Sequence, residues 1–142
     1  MNAENVVQAY VNPGEGFLPL VISRGWQVSQ LNDRLDLHAD TLSQIERHDA
    51  TDEVFILVHG AATLVAVSES AHRFEFEVVS MKPGITYNIP RGVWHAIMTS
   101  PGMQVMIVEK DNTHVDGVVR RTLTDEERAV LRSQLISKEG LS

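Results

Sequence analysis

Three side chains able to hold or move charge crowd into one short stretch: Glu46, His48 and Glu53. Alternate side chains of a strand share a face, so Glu46 and His48 point the same way. The polar turn Asp49-Ala50-Thr51-Asp52 reverses the chain, and Glu53 opens the return strand opposite or nearly opposite His48. If that face lines a barrel, three metal-capable groups converge. His95, on a strand launched by Pro90-Arg91-Gly92, is placed to add a fourth. Glu53 as a plain strand carboxylate is disfavoured, because an unpaired charge beside Phe55 is costly to bury.

The other histidines have blander readings. His38 sits among acids in a loop, where a solvated ring is expected. His59 lies beside a turn glycine, His72 in a polar hairpin and His114 in a polar segment, and none of these is expected to ligate. By parity with His95, Ile97 and Thr99 are expected to shape the pocket, as are Phe55 and Leu57 by parity with Glu53. Trp94, out of phase with His95, reads as a packing or interface residue, and Arg91 as a solvated turn residue near the barrel mouth that could meet an anionic substrate. No nucleophile elbow, Walker loop or dinucleotide fingerprint is present.

The elements that must position these groups are strands. The alternation in Arg73 to Ser80 sets Phe74, Phe76 and Val78 on a dry face and Arg73, Glu75 and Glu77 on a wet one. Strands are also expected over 41–48, 53–59, 61–67, 85–89, 94–100 and 103–109, separated by Gly, Pro and Ser turns. Upstream, Val6 to Val11 could form a short strand, Phe17 to Ser23 an edge strand because of Pro19, and Trp26 to Leu31 a half-buried strand. Turn signals at this spacing, repeated over about eight to ten short strands, indicate a β-sandwich or barrel. A helix opens at Thr124, whose capping box with Glu127 precedes a stripe of Val130, Leu131 and Leu135. Strands 53–59 and 103–108 are apolar on both faces. The second face needs a cover, from the N-terminal strands, the helix or another subunit, and a homodimer is the favoured reading.

With 142 residues and 22% charged residues the chain reads as one globular domain, with a barrel core at about 41–110, N-terminal strands in 1–40 and a helix at about 125–136. The net charge of −7 argues against nucleic-acid binding and against docking on an anionic membrane. The absence of cysteine excludes disulfides, thiolate ligands and thiol nucleophiles. There is no apolar run of membrane-spanning length and no basic leader before an apolar stretch, so a cytoplasmic location is the expectation.

Two motifs resemble those of the cupins. The family's first motif, G-x5-H-x-H-x(3,4)-E-x6-G, is matched in its later part by Glu46-x-His48-x4-Glu53-x6-Gly60. Its second, G-x5-P-x-G-x2-H-x3-N, is matched by Gly84-x5-Pro90-x-Gly92-x2-His95-x3-Thr99, with Thr in place of the final Asn. The resemblance implies an all-β, double-stranded β-helix (jelly-roll) barrel with a short C-terminal helix. By position it implies a divalent metal on His48, Glu53 and His95, with Glu46 where the family's first His would stand. Imidazole plus carboxylate suits Fe(II), Mn(II), Zn(II) or Ni(II), and a second carboxylate makes the site harder. Glu46 is then a fourth ligand, a general base beside the metal, or a surface partner of Arg47. For function the resemblance implies a small-molecule enzyme of dioxygenase, isomerase or lyase type. The alternatives are a non-catalytic ligand-binding or sensor barrel, and a vestigial metal-free barrel kept for dimerisation.

Overall fold

The computed structural model describes residues 6–70 and 73–140. Ten strands form two antiparallel five-stranded sheets. The first sheet has the order β1-β2-β9-β4-β7, from β1 (Phe17–Ile22), β2 (Gln27–Asn32), β9 (Gln104–Glu109), β4 (Glu53–His59) and β7 (Thr86–Ile89). The second has the order β10-β3-β8-β5-β6, from β10 (Val118–Thr122), β3 (Gln44–His48), β8 (His95–Met98), β5 (Thr63–Ser70) and β6 (Arg73–Ser80). A short helix α1 (Thr113–Asp116) precedes β10, and α2 (Asp125–Gly140) follows it. This is the jelly-roll barrel with a C-terminal helix. Among the described residues no helix is long and apolar enough to cross a membrane.

Two apolar cores hold it together. One fills the barrel and includes Phe55, Leu57, Leu64, Ile97, Val105 and Ile107. The other lies outside the second sheet, where Ile45, Val65, Phe76, Ala96 and Met98 meet Leu123 and Leu131. The dry face of β6 is thus the outer face, which α2 covers, and Phe76 belongs to that core rather than to the barrel interior. Arg47 and Arg121 lie over the Trp94 ring at 4.6 and 5.8 Å, so Trp94 packs on this same outer side.

The capping box forms as the sequence predicts. The Glu127 N–H donates to Thr124 Oγ1 at 3.1 Å, and the Thr124 N–H donates to Glu127 Oε1 at 2.9 Å. Arg121 adds a two-pronged pair to Glu127 at 2.8 and 2.9 Å. Within the expected stripe only Leu131 and Leu135 pack inward, while Val130 faces out. Gln134 reaches the free edge of β6, where its amide accepts from the Phe76 N–H at 3.1 Å and donates to the Phe76 carbonyl at 2.7 Å.

Other expectations shift. Residues 6–11 form no strand. Pro19 does sit on the sheet's outermost strand, with a bulge between Pro19 and Val21. Strand β10 was not visible as a strand, because Val118-Val119-Arg120-Arg121-Thr122 is short and charged. Tertiary pairing with β3 makes it one. His72 lies outside the described residues.

Candidate metal centre

The two motifs are joined by backbone and turn bonds before any side chain meets. The Gly92 N–H donates to the His48 carbonyl at 2.7 Å from a left-handed conformation (φ 83°) that favours glycine. Asp52, in the turn before Glu53, accepts from the Arg91 N–H at 2.9 Å and from the Asn88 side chain at 3.2 Å. The turn after β7 is therefore pinned to the turn before β4. Gly60, which closes the first motif, lies against Met103, whose Cα would be 2.7 Å from any added Cβ. These contacts account for two motif positions that hold no ligand atom, Gly92 and Gly60.

Four side chains then converge. Glu46, His48, Glu53 and His95 each offer one atom, all within 4.8 Å of one another. Glu46 lies opposite His95 in the β3–β8 pairing. Glu53 bridges the two rings, with Oε2 at 2.6 Å from His48 Nε2 and Oε1 at 3.3 Å from His95 Nε2. Glu46 Oε1 is 4.0 Å from the Nε2 of both histidines. His48, Glu53 and His95 are buried, whereas 36% of the Glu46 side chain reaches solvent.

Charge coupling follows from this crowding. Burial alone would raise Glu53, but its close contacts with the His48 and His95 rings and with Glu109 outweigh it and hold its carboxylate well below the usual range. Burial alone would lower both histidines, and the contact and charge of Glu53 outweigh that too, so both are raised. Glu46 is raised, first by desolvation and then by the negative charge of Glu53.

The donor set fits a divalent transition metal on three observations. His95 Nδ1 is 2.9 Å from the Val93 carbonyl, a contact that places the proton on Nδ1 and turns Nε2 toward the cluster. His48 Nε2 is buried and has no well-directed hydrogen-bond partner, close as it is to Glu53. Two imidazoles with one or two carboxylates is a donor set that first-row divalent ions favour.

The cluster opens into a cavity of about 410 Å³ whose apolar lining includes Phe17, Leu31, Phe55, Ile97 and Ile107. Its polar lining adds Glu109, His114, Arg34 and Arg120, none of which was singled out from sequence. Glu109 was legible: it shares strand parity with Val105 and Ile107, which are buried in the barrel. Its carboxyl is pushed up to about 9, chiefly by burial and then by contact with Glu53 and by that group's charge. Arg120 reaches the cavity because β10 sets it opposite Glu46, with Nε at 3.8 Å from Glu46 Oε2. Glu46 thus has a cationic neighbour, but it is Arg120, while Arg47 pairs with Asp49 at 2.7 Å.

Three further sequence expectations need correction. His114, expected only to lie in a polar segment, lines the cavity, since α1 folds it against Phe17 with ring centroids 5.8 Å apart. His38 is half-buried and paired with Asp33 at 2.7 Å. Thr99 is buried, but its hydroxyl donates to Asp33 at 2.8 Å and accepts from the Arg34 N–H at 3.1 Å, so it ties down the 33–37 loop and does not face the cavity.

No protein-family model matches this sequence, and none of the curated proteins compared with it does. Solved structures do match. Bacillus subtilis oxalate decarboxylase superposes with a TM-score of 0.54 at 14% identity, over 89% of this chain and 33% of that one. The Streptomyces protein PAC13, solved with uridine, superposes with a TM-score of 0.53 at 12% identity, over 84% of this chain and 89% of that one. A cupin-2 domain protein from Shewanella frigidimarina has 24% identity over 68% of this chain and 83% of that one, with a TM-score of 0.49. The chain has the cupin fold. It spans about a third of the oxalate decarboxylase chain and nearly all of PAC13.

Proposed function

We propose that this protein is a metal-dependent cupin that binds and transforms a small organic molecule in the barrel cavity, with His48, Glu53, His95 and Glu46 as the metal-holding set. The observation that carries this reading is the convergence of those four side chains within 4.8 Å at the wall of a cavity of about 410 Å³. A divalent ion bound there would polarise a carbonyl or lower the pKa of a bound water. The protein's own groups would do the rest. Phe55, Ile97 and Ile107 exclude water from one side of the molecule. Glu46, the most exposed of the four and raised from its ordinary value by burial and by the charge of Glu53, is the group to accept and return a proton at Oε1.

The test is elemental analysis of protein purified from cells grown with Fe, Mn, Zn and Ni supplied together. About one transition metal ion per chain is expected, falling to near zero in His48→Ala and in His95→Ala. Full metal content in both variants would overturn the reading. Comparing Glu46→Gln with Glu46→His separates ligand from base: an unchanged metal content in both, with turnover lost, assigns Glu46 to proton transfer.

A second copy of the chain as partner also fits. Helix α2 covers the second sheet, whereas the outer face of the first sheet carries Val54, Ile56, Met106 and Val108, with Val58 exposed. Light scattering on the purified protein should give twice the chain mass, and Val58→Asp should halve it.

A further inference from the structure

Two arginines line the cavity, and only one of them has a carboxylate in its fork. Arg34 Nε and Nη2 donate to Asp36 at 3.0 and 2.7 Å. Arg120 comes no closer to Glu46 than 3.8 Å, through Nε, which is too long for a hydrogen bond. Among the described residues its guanidinium has no other ionic partner. The next residue shows the contrast. Arg121 lies over Trp94 on the outer face and grips Glu127 with both terminal nitrogens at 2.8 and 2.9 Å. Strand alternation puts Val118 and Arg120 on the cavity face, opposite His48 and Glu46. With 57% of its side chain exposed, the Arg120 fork is accessible to an entering anion.

A second donor follows from a chain of bonds on the β2 side. The Asn112 N–H donates to Gln27 Oε1 at 2.8 Å, which fixes which end of that buried amide is which. Gln27 Nε2 therefore faces Glu109 Oε1 at 3.1 Å and His114 Nδ1 at 3.1 Å. A donor against Nδ1 makes Nδ1 the acceptor, so the ring proton of His114 sits on Nε2. That Nε2–H has no partner among the described residues, and His114 lines the same cavity. Arg120 adjoins the four-residue set through Glu46. His114 adjoins it through Gln27 and Glu109, whose Oε2 lies 3.8 Å from His48 Nε2. Glu46 and Glu53 together match the two charges of a divalent ion, which leaves Arg120 as the cation facing a ligand.

We propose that the cavity takes a small organic carboxylate: the Arg120 fork holds the carboxylate group, and His114 Nε2–H donates to a second oxygen of the same molecule. Resting on the metal-dependent reading above, this names its substrate class. A planar guanidinium matches a carboxylate with two parallel bonds, and such charge-assisted pairs are stronger than neutral ones.

The experiment titrates mandelate, which carries a carboxylate, a hydroxyl and an apolar ring, beside its uncharged amide, mandelamide, and inorganic phosphate. Protein NMR shifts give dissociation constants on zinc-supplemented protein, and zinc content is measured on the same samples. The parent should bind mandelate about tenfold or more tightly than either other probe. Arg120→Met should lose about 10–100-fold for mandelate and bind mandelamide as the parent does. Arg120→Lys, which keeps the charge without the fork, should fall between. His114→Phe keeps a ring against Phe17 and should cost about 2–10-fold for acid and amide alike. Zinc content should match the parent's in all three variants.

A parent that does not bind mandelate, or that binds acid and amide equally, would overturn the proposal. So would phosphate binding as tightly as mandelate, or mandelate affinity unchanged in Arg120→Met. Parent-like affinity in His114→Phe would remove the second contact. Zinc lost in Arg120→Met with the acid-to-amide ratio unchanged would assign Arg120 to holding Glu46 and refute the anchor. The two readings fail separately. Acid preference that depends on Arg120 in a parent binding no zinc refutes the metal reading and leaves the anchor standing, whereas full zinc without acid preference refutes the anchor alone.

Discussion

The two ends of the barrel interior are built from the same strands and have opposite chemistry. Read inward along β4, the residues are Glu53, Phe55 and Leu57; along β9, in reverse, they are Glu109, Ile107 and Val105. Strand β2 contributes Gln27, Ser29 and Leu31 in the same order, and β8 contributes His95 and Ile97. Each strand spends its terminal inward position on a polar group, β2 adds Ser29 as a second, and the remaining positions are apolar packing. The gradient separates two tasks. The apolar end supplies folding energy through burial. At the polar end carboxylates and imidazoles crowd together, a donor set that could hold a metal ion.

This contrast can be broken at either end, and the largest effect should come from the polar one. His95→Ala should weaken zinc binding by more than about a hundredfold, beyond the loss typical of an outer-layer partner, while metal-free melting falls little or rises. Isothermal titration and calorimetry check the two halves of that statement. At the opposite end, Leu57→Ala should cost about 2–5 kcal/mol in denaturant unfolding, since Leu57 is fully buried in the barrel core. Its zinc affinity should match the parent's. A variant that damages both properties would show that the ends are not separable.

Changing pH acts on the polar end alone and sharpens the division. His48 and His95 are raised, so the stability they give the metal-free protein is complete below their ordinary value of 6.5 and is lost as pH climbs through the folded values. Glu109, pushed up to about 9, acts in the same direction, because its unfolded carboxyl ionises near 4.5. Glu53 and Glu127 are lowered, and their contributions stay complete above 4.5. Metal-free protein should therefore melt at a higher temperature at pH 5.5 than at pH 8.5. Metal must displace the histidine protons, so zinc affinity should rise over the same interval, by about tenfold or more per pH unit. Parallel trends would refute this assignment. The smallest effect belongs to a position remote from both ends: Thr124→Ala, which removes the helix cap, should cost about 1 kcal/mol and leave zinc affinity unchanged.

Much of this was readable from residue spacing. The β3–β4 and β7–β8 motifs located three buried cluster residues and a fourth, Glu46, that is partly exposed. Thr124 and Glu127 announced the helix. What escaped was whatever depended on partners distant in sequence. Gln27 and Glu109 are 82 residues apart and bear no local signature beyond strand parity. Arg120 reaches the cavity only because β10 pairs with β3, and the five residues of β10 have no strand alternation of their own to reveal it. His114 sits in a polar segment whose fold is fixed by contacts to β2. Alternation put Phe76 on a dry face but left open that this is the outer face beneath α2, because alternation tells which residues share a face and does not tell which face is inside.

The Gln134 amide on the edge of β6 has a bearing on how the chain survives its own synthesis. Strand β6 ends its sheet, and two side chains of α2 meet its edge: Gln134 bonds the Phe76 N–H and carbonyl, and Lys138 Nζ donates to the Val78 carbonyl. These side chains stand in for the missing neighbour, but Gln134 is translated 58 residues, and Lys138 60 residues, after the backbone it covers. For that interval a nascent barrel displays an open, sticky seam. Ribosome-bound chains halted before Gln134 should therefore associate with one another through β6 more readily than chains released complete.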